Sequence, residues 1–224
     1  MSKTFSIAID GPAGAGKSTV ARALAEALDA MYLDTGAMYR AFGLSMLRAG
    51  VDVNDAAAVA ARAYDVDIDV EHVDGAQHIY LAGEDVSKAI RMPEVSGAAS
   101  AISAVPEVRE RMVALQRRIA EGHNVIMDGR DIGTVVLPNA TLKIYLTASP
   151  EARAQRRFEE LKAKGTPEPY EDVLKGILDR DYRDSHRAAS PLRPAEDART
   201  VDTSDMGLQE VIDTLRRMAA EACL

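Results

Sequence analysis

The run Gly11-Pro12-Ala13-Gly14-Ala15-Gly16-Lys17-Ser18 fits the pattern G-x-x-x-x-G-K-[ST] and restricts what this chain can fold into more than any other feature. Its residue types answer one physical demand, the holding of a row of phosphates. Glycines let successive backbone N–H groups turn inward with no Cβ in the way. A helix starting just after the loop adds the positive end of its dipole to the same spot. Lys17 is then set to neutralise β- and γ-phosphate oxygens, and the Ser18 hydroxyl to ligate Mg²⁺. With Thr19, these residues form the expected nucleotide-binding set. The surroundings agree. Phe5 to Asp10 reads as a buried strand, and Lys17 to about Ala30 as a helix with Val20, Leu24 and Leu28 on one face. The glycines do not fit G-x-G-x-x-G, which disfavours a dinucleotide fold.

Strand and helix signals go on alternating along the chain. Met31-Tyr32-Leu33 is a short strand candidate, and Ala37 to Leu47 is helical, with Met38, Phe42 and Leu47 apolar. Asn54 or Asp55 can cap an alanine-rich helix ending near Tyr64. From Tyr64 to Val86 the period drops to two. Val66, Ile68 and Val70 alternate with aspartates, Asp74-Gly75 signals a hairpin, His78 to Leu81 can return, and Gly83 to Val86 can turn into a third short strand. This segment reads as a small antiparallel insert. Helical patterning resumes after Pro93 and after Pro106, where Val108, Met112, Leu115 and Ile119 share a face. Val125 to Asp128 is a buried strand ending in a carboxylate, and Thr141 to Leu146 is another. Pro150 starts a charged helix that Lys164-Gly165-Thr166-Pro167 breaks. A helix from about Tyr170 to Arg187, a strand at Val201-Asp202 and a last helix carrying Val211, Leu215 and Met218 complete the pattern. Such alternation argues α/β with a parallel core sheet.

Composition excludes several classes of function. With 35 acidic against 27 basic residues and a net charge of -8, the chain is a poor partner for nucleic acid, whose binding rests on phosphate neutralisation. Aromatics are 4% with no Trp, so a stacking platform for single strands is not expected. The lone thiol, Cys223, has no companion for a disulfide or a cysteine-based zinc site, and a cytoplasmic protein is expected. The apolar run at the start is too short for a signal peptide core, and no stretch approaches 18 apolar residues, so no membrane association is expected. His72, His78, His123 and His186 show no metal-ligand spacing.

The loop by itself implies only a bound nucleoside triphosphate. A GTPase would carry N-K-x-D, which is absent. A motor ATPase usually follows its acidic strand end with a glutamate, whereas Asp128 is followed by Gly129-Arg130. A kinase needs positive charge on two phosphate groups at once, since phosphoryl transfer is chiefly positioning and charge neutralisation. Arginines come in clusters despite the net acidity: Arg40, Arg91, Arg109 with Arg111, Arg130 beside Asp131, and Arg180, Arg183 and Arg187 at i, i+3, i+7 on one helical face. On spacing alone, that last set also fits a solvated helix with ion pairs. Arg153, Arg156 and Arg157 fit a solvated face better still, because Glu159 and Glu160 follow.

Four segments together carry a resemblance. They are Ile9 to Thr19; Tyr32-Leu33-Asp34-Thr35-Gly36-Ala37-Met38-Tyr39-Arg40; Asp128-Gly129-Arg130-Asp131-Ile132-Gly133-Thr134-Val135-Val136; and the set from Arg180-Asp181 through Asp184-Ser185, Arg187, Ser190-Pro191-Leu192, Ala195, Asp197-Ala198 to Val201-Asp202-Thr203-Ser204. The chain closely resembles the bacterial cytidylate kinase family, a branch of the nucleoside monophosphate kinases, over nearly its whole length. The resemblance implies a P-loop three-layer fold with a five-stranded parallel sheet, a small antiparallel insert and a helical lid. Core would be 1–63 (with the first monophosphate-binding helices), 93–149 and 188–224. The insert of the monophosphate-binding part would be 64–92, and the lid with its flanking helices 150–187.

It implies ATP and Mg²⁺ as donor and cofactor, CMP and dCMP as acceptors, and a monomer. Arg40, Arg130 and Arg187 would grip the monophosphate. Ser100, Arg109 and Asp131 would read the cytosine edge, with Tyr39 and Arg91 also in the substrate set. Asp184, with Thr35 and Arg180, would face the ribose. Lys17, Arg130, Arg183 and Arg187 would serve catalysis, with lid arginines such as Arg153 and Arg157. Asp128 would order magnesium through water rather than take a proton. Two departures stand out: Ser18 where the family often has glycine, and Thr35 where many members have serine. Another P-loop kinase of uridylate or adenylate type, or a non-catalytic ATP-binding switch, are the alternatives; a single cysteine excludes the four-cysteine zinc lid of some adenylate kinases.

Overall fold

A computed structural model describes residues 4–73 and 75–223. Met1-Ser2-Lys3 of the leading segment, and Asp74 of the expected hairpin turn, lie outside the described residues. In chain order the strands are β1 (Ser6–Asp10), β2 (Met31–Asp34), β3 (Ile68–Val73), β4 (Ala76–Leu81), β5 (Glu84–Asp85), β6 (Val125–Gly129), β7 (Leu142–Thr147) and β8 (Arg199–Asp202). The helices are α1 (Lys17–Ala27), α2 (Thr35–Arg48), α3 (Ala56–Ala60), α4 (Pro93–Ile102), α5 (Pro106–Ala120), α6 (Pro150–Ala163), α7 (Tyr170–His186) and α8 (Leu208–Cys223).

The core is a five-stranded parallel sheet in the order β2-β6-β1-β7-β8, as expected. Its central strands are apolar on both faces because helices cover both: Ile7, Ala8 and Ile9 of β1 and Ile126 and Met127 of β6 are fully buried. β1 pairs with β7 in the register Ile7↔Leu142 to Asp10↔Tyr145, and β7 with β8 from Ile144↔Arg199 to Thr147↔Asp202. The consecutive strands β6 and β7 lie on opposite sides of β1, so the order reverses at β1. Ligands of open α/β sheets bind at such a reversal, beyond the carboxyl ends of the strands.

Two compact units divide the chain, Met1–Ala30 with Ile126–Leu224, and Met31–Val125. In the first, α8 packs on α1 through Val211, Leu215 and Ala219. The helices α6 and α7 pack together over Ala154, Leu161, Val173 and Ile177. In the second, α2 and α4 approach closely at Gly43, where a Cβ would sit 2.9 Å from the Ala99 amide nitrogen. The insert is the sheet β3-β4-β5, antiparallel with His72 directly opposite Gln77 and Val73 opposite Ala76.

Three local differences from the sequence reading have physical causes. The alanine-rich helix, capped by Asp55 on Ala57 N and Ala58 N, stops at Ala60 rather than near Tyr64. Only Val59 of it is buried, and a short helix with little to pack against is not sustained by propensity. Leu47 of α2 is 38% exposed and lies off the buried face. Arg187 does not share a helical face with Arg180 and Arg183. It follows the end of α7 in extended conformation, φ -65 and ψ 143, which turns its side chain out of the i, i+3, i+7 row.

Candidate active site

In the first unit the glycine-rich loop follows the carboxyl end of β1. Gly11 has φ +150, and a Cβ there would meet the Leu146 carbonyl oxygen at 1.9 Å, so no other residue fits where β1 turns under β7. The first turn of α1 has no side-chain cap, and Gly16 before it is left-handed; Thr19 N and Val20 N close onto Gly16 O, and the helix start favours an anion. Lys17 is buried, and its Nζ donates to the Pro12 carbonyl at 2.8 Å. Burial, and then Arg130, hold the Lys17 ammonium well below its usual range, with Arg180 adding to this; Asp128 and Asp10 pull the other way. A polyanion arriving here would supply the missing counter-charge.

Ser18 and Asp128, both expected near magnesium, are in direct contact. The Ser18 hydroxyl donates to Asp128 Oδ2 at 2.8 Å. Hydroxyl and carboxylate oxygens are what a hard cation such as Mg²⁺ would take. Among the described residues no group of three His, Cys, Asp or Glu forms a protein-only metal site.

After β6, the segment Ile132–Val136 winds into one wide π-helical turn, although its β-branched residues would suit a strand. Val135 N and Val136 N both donate to Asp131 O. The Asp10 carboxylate anchors the turn, accepting from Ile132 N at 2.8 Å and Gly133 N at 2.7 Å. Burial pushes the Asp10 carboxyl up to about 6, against those two N–H groups. This anchoring holds Arg130 and Asp131. Arg130 Nε donates to Asp184 Oδ2 at 2.8 Å, and Arg187 lies 3.9 Å from Asp131 Oδ1 while its Nε donates to Ser190 O. Burial pushes the Asp184 carboxyl up, but Arg130, Arg180 and Arg187 outweigh it and hold the group below 3.8. Asp184, expected at a ribose, thus holds Arg130 here. Arg183 is exposed on α7, with Nε directed to its own helix at Asp179 O.

Arg153 occupies a place no spacing rule suggested. It is 3% exposed; Nε donates to Ala148 O, Nη1 to Ala13 O of the phosphate loop, and both Nη atoms to Asp181 at 3.0 and 2.6 Å. It therefore ties the loop to α7 from within. Arg157, by contrast, pairs on the surface with Glu160, and Arg156 reaches Thr203. Beside the loop opens a cleft of about 410 Å³ lined by Pro12, Tyr145, Thr147, Arg153, Asp181 and Asp202.

The second unit gathers another cationic cluster. Asp34 caps α2, accepting from Ala37 N at 2.9 Å through Oδ1. Its Oδ2 takes Arg40 Nη2 at 3.0 Å and lies 3.6 Å from Arg91 Nη1. The Nε of Arg40 is buried with no hydrogen-bond partner among the described residues. Thr35 is buried next to Asp34. Arg109 is buried on α5; it donates to Ser103 O at 3.0 Å and its guanidinium lies 5.7 Å from the Tyr39 ring centroid. The Ser100 hydroxyl is buried and without a hydrogen-bond partner among the described residues. Asp34, Asp10 and Gln77 are functional candidates that the sequence reading did not single out. For Asp34 the signal was available, an aspartate three residues before the amide it caps; for the other two it was not.

The family whose profile is described as cytidylate kinase matches residues 7–221. A cytidylate kinase of Caldanaerobacter subterraneus subsp. tengcongensis is 54% identical over 212 residues, 94% of this chain and 92% of that protein. One of Mycolicibacterium paratuberculosis is 51% identical over 222 residues, 99% and 97% of the two chains. Among solved structures, a shikimate kinase from Bacteroides thetaiotaomicron shares the fold at a TM-score of 0.50 with 13% identity, over 99% of this chain and all of that one.

Proposed function

The chain belongs to the cytidylate kinase family, and from that premise we propose that it catalyses ATP + (d)CMP ⇌ ADP + (d)CDP. ATP is the phosphoryl donor. The observation that carries the reading is the buried Lys17 ammonium, which donates to the Pro12 carbonyl at the start of a helix with no side-chain cap. Such a group is costly without anions and suits polyphosphate transfer.

An oxygen of the acceptor monophosphate attacks the γ-phosphorus, and the bond to the β,γ-bridging oxygen breaks. The attacking group is already anionic, so no general base is needed. Lys17 and the N–H groups at the start of α1 hold the donor phosphates. Arg130 and Arg187 are assigned to the acceptor phosphate, as is Arg40, whose buried Nε supports an anion ligand. Ser18 would hold Mg²⁺ and Asp128 would order it through water; when bound, the ion neutralises phosphate charge. The cleft beside Pro12 is assigned to the donor nucleoside. The segment 150–187 is assigned as the lid, with Arg183 arriving on closure to exclude water. A cytoplasmic monomer is proposed, in keeping with the lone Cys223; among the described residues no helix is long and apolar enough to cross a membrane.

Base choice follows from hydrogen-bond polarity. Asp131 accepts from the cytosine N4 amino group, and Arg109 with Ser100 serves N3 and O2. Uracil reverses the N4 and N3 contacts, and each buried mispaired group costs ~1–3 kcal/mol. An ADP-release assay across AMP, CMP, dCMP, GMP, UMP and dTMP tests both levels. CMP and dCMP should show the highest kcat/KM. Equal values for CMP and UMP would overturn the base-reading assignment, and no acceptor-dependent ADP release would overturn the kinase reading in favour of an ATP-binding switch. The family match does not favour the uridylate- or adenylate-type alternatives.

A further inference from the structure

β2 is the outermost strand of the core sheet, so one edge of its backbone needs partners from outside the ladder. Two side chains of the insert supply them. The Gln77 amide pairs with both backbone groups of Asp34: Asp34 N donates to Oε1 at 2.7 Å, and Nε2 donates to Asp34 O at 3.3 Å. Two residues back, Tyr32 O meets His72 Nε2 at 2.7 Å. His72 and Gln77 are direct cross-strand partners in β3 and β4, so they leave the insert on one face. Tyr32 and Asp34, two apart on β2, present their backbone groups along one edge. Side chains thereby stand in for a neighbouring strand at the point where β2 ends.

That point is where the acceptor cluster begins. With its backbone fixed on both N–H and C=O, Asp34 can turn one carboxylate oxygen to Ala37 N and the other to Arg40 and Arg91. Little freedom is left in the anchor of those two guanidiniums. We infer that Gln77 is a positioning residue for the acceptor site, acting through the Asp34 backbone on Arg40 and Arg91. The inference rests on the assignment of Arg40 to the acceptor phosphate, and the experiment separates the two. Gln77 touches no reacting atom; it sets where the Arg40 fork stands before the acceptor arrives, and its loss is paid in acceptor binding.

The test uses the full chain and compares wild type, Gln77→Leu, Arg40→Ala and the double variant by initial rates with CMP and ATP varied in turn. Loss of a hydrogen-bonded pair of this kind should raise KM for CMP about fivefold in Gln77→Leu. The KM for ATP and the kcat at saturating CMP should stay at wild-type values. Arg40→Ala should raise KM for CMP further, and the double variant should fall short of the product of the two effects, since Gln77 acts through Arg40. Gln77→Glu serves if Gln77→Leu does not fold: its carboxylate still accepts from Asp34 N but opposes Asp34 O, and it too should raise KM for CMP alone. A wild-type KM in the Gln77 variants beside an impaired Arg40→Ala would overturn the role of Gln77. So would equal rises in both KM values, or effects that simply multiply. A wild-type KM in Arg40→Ala would overturn the acceptor assignment itself.

Discussion

At Lys17, burial and charge oppose one another within a single side chain. It is buried, and burial together with Arg130 disfavours its charged form, a cost that a bound anion would offset. The folded pKa lies below the unfolded value of 10.5, so the unfolded chain binds the extra proton more readily and the charge opposes folding at neutral pH. Lys17→Met should therefore raise the Tm of the ligand-free protein. The same change should lower kcat by at least about a hundredfold, the usual loss when one charge-stabilising donor is removed. Thermal melts and rate measurements on one preparation check both; a destabilised variant would show that the ammonium's hydrogen bond to Pro12 O outweighs the cost of burying it. The place of Lys17 was legible in the sequence because loop spacing fixes its position at the start of α1. Gln77 was not legible, since an amide pairing with the backbone of a strand 43 residues away leaves no local pattern.

The elements themselves were legible wherever periodicity met a clear breaker. The antiparallel insert followed from its period of two, and α4 and α5 from Pro93 and Pro106. The π-helical turn at Ile132–Val136 escaped because its β-branched residues mimic a strand, while the groups that wind it are the Asp131 carbonyl and the Asp10 carboxylate from β1. Arg153 escaped for a related reason. A run of arginines and glutamates on a helix reads as a solvated face, and nothing local tells that one of them turns inward to Asp181, 28 positions on. That contact joins α6 and α7 above their apolar cluster, and it reaches the phosphate loop through Ala13 O. Breaking it from one side should be worse than removing it. Arg153→Met leaves the Asp181 carboxylate without its bidentate partner and should cost about 3–5 kcal/mol in urea denaturation. Arg153→Met with Asp181→Leu should recover much of that loss, short of wild type because Ala13 O and Ala148 O remain unserved. An additive double variant would mean that the two helices do not depend on the ion pair.

At the scale of the whole molecule, the carboxylates that organise the first unit give stability a pH dependence of two opposite signs. Asp184, held below 3.8 by three arginines despite its burial, contributes stability that is present above 3.8 and is lost as pH falls through its lower folded value. Asp10 does the reverse. Burial raises it to about 6, with Asp131 adding to the rise and the Ile132 and Gly133 amides and Lys17 opposing it. Between 3.8 and about 6 the folded chain then binds more protons at Asp10 than the unfolded chain, so stability falls as pH rises through that window. The shift of roughly two units corresponds to about 3 kcal/mol. The two windows do not overlap, and a variant isolates the second. The stability of wild type minus that of Asp10→Asn, from denaturant titrations at about pH 4, 5, 6 and 7, should decline through the series and level off above about pH 6. A pH-independent difference would show that Asp10 ionises as an ordinary carboxylate despite its burial. A falling difference would mean that the molecule accepts an ionised, buried Asp10 at neutral pH, where two N–H groups of the turn that follows Arg130 and Asp131 are its hydrogen-bond donors, at the expense of global stability.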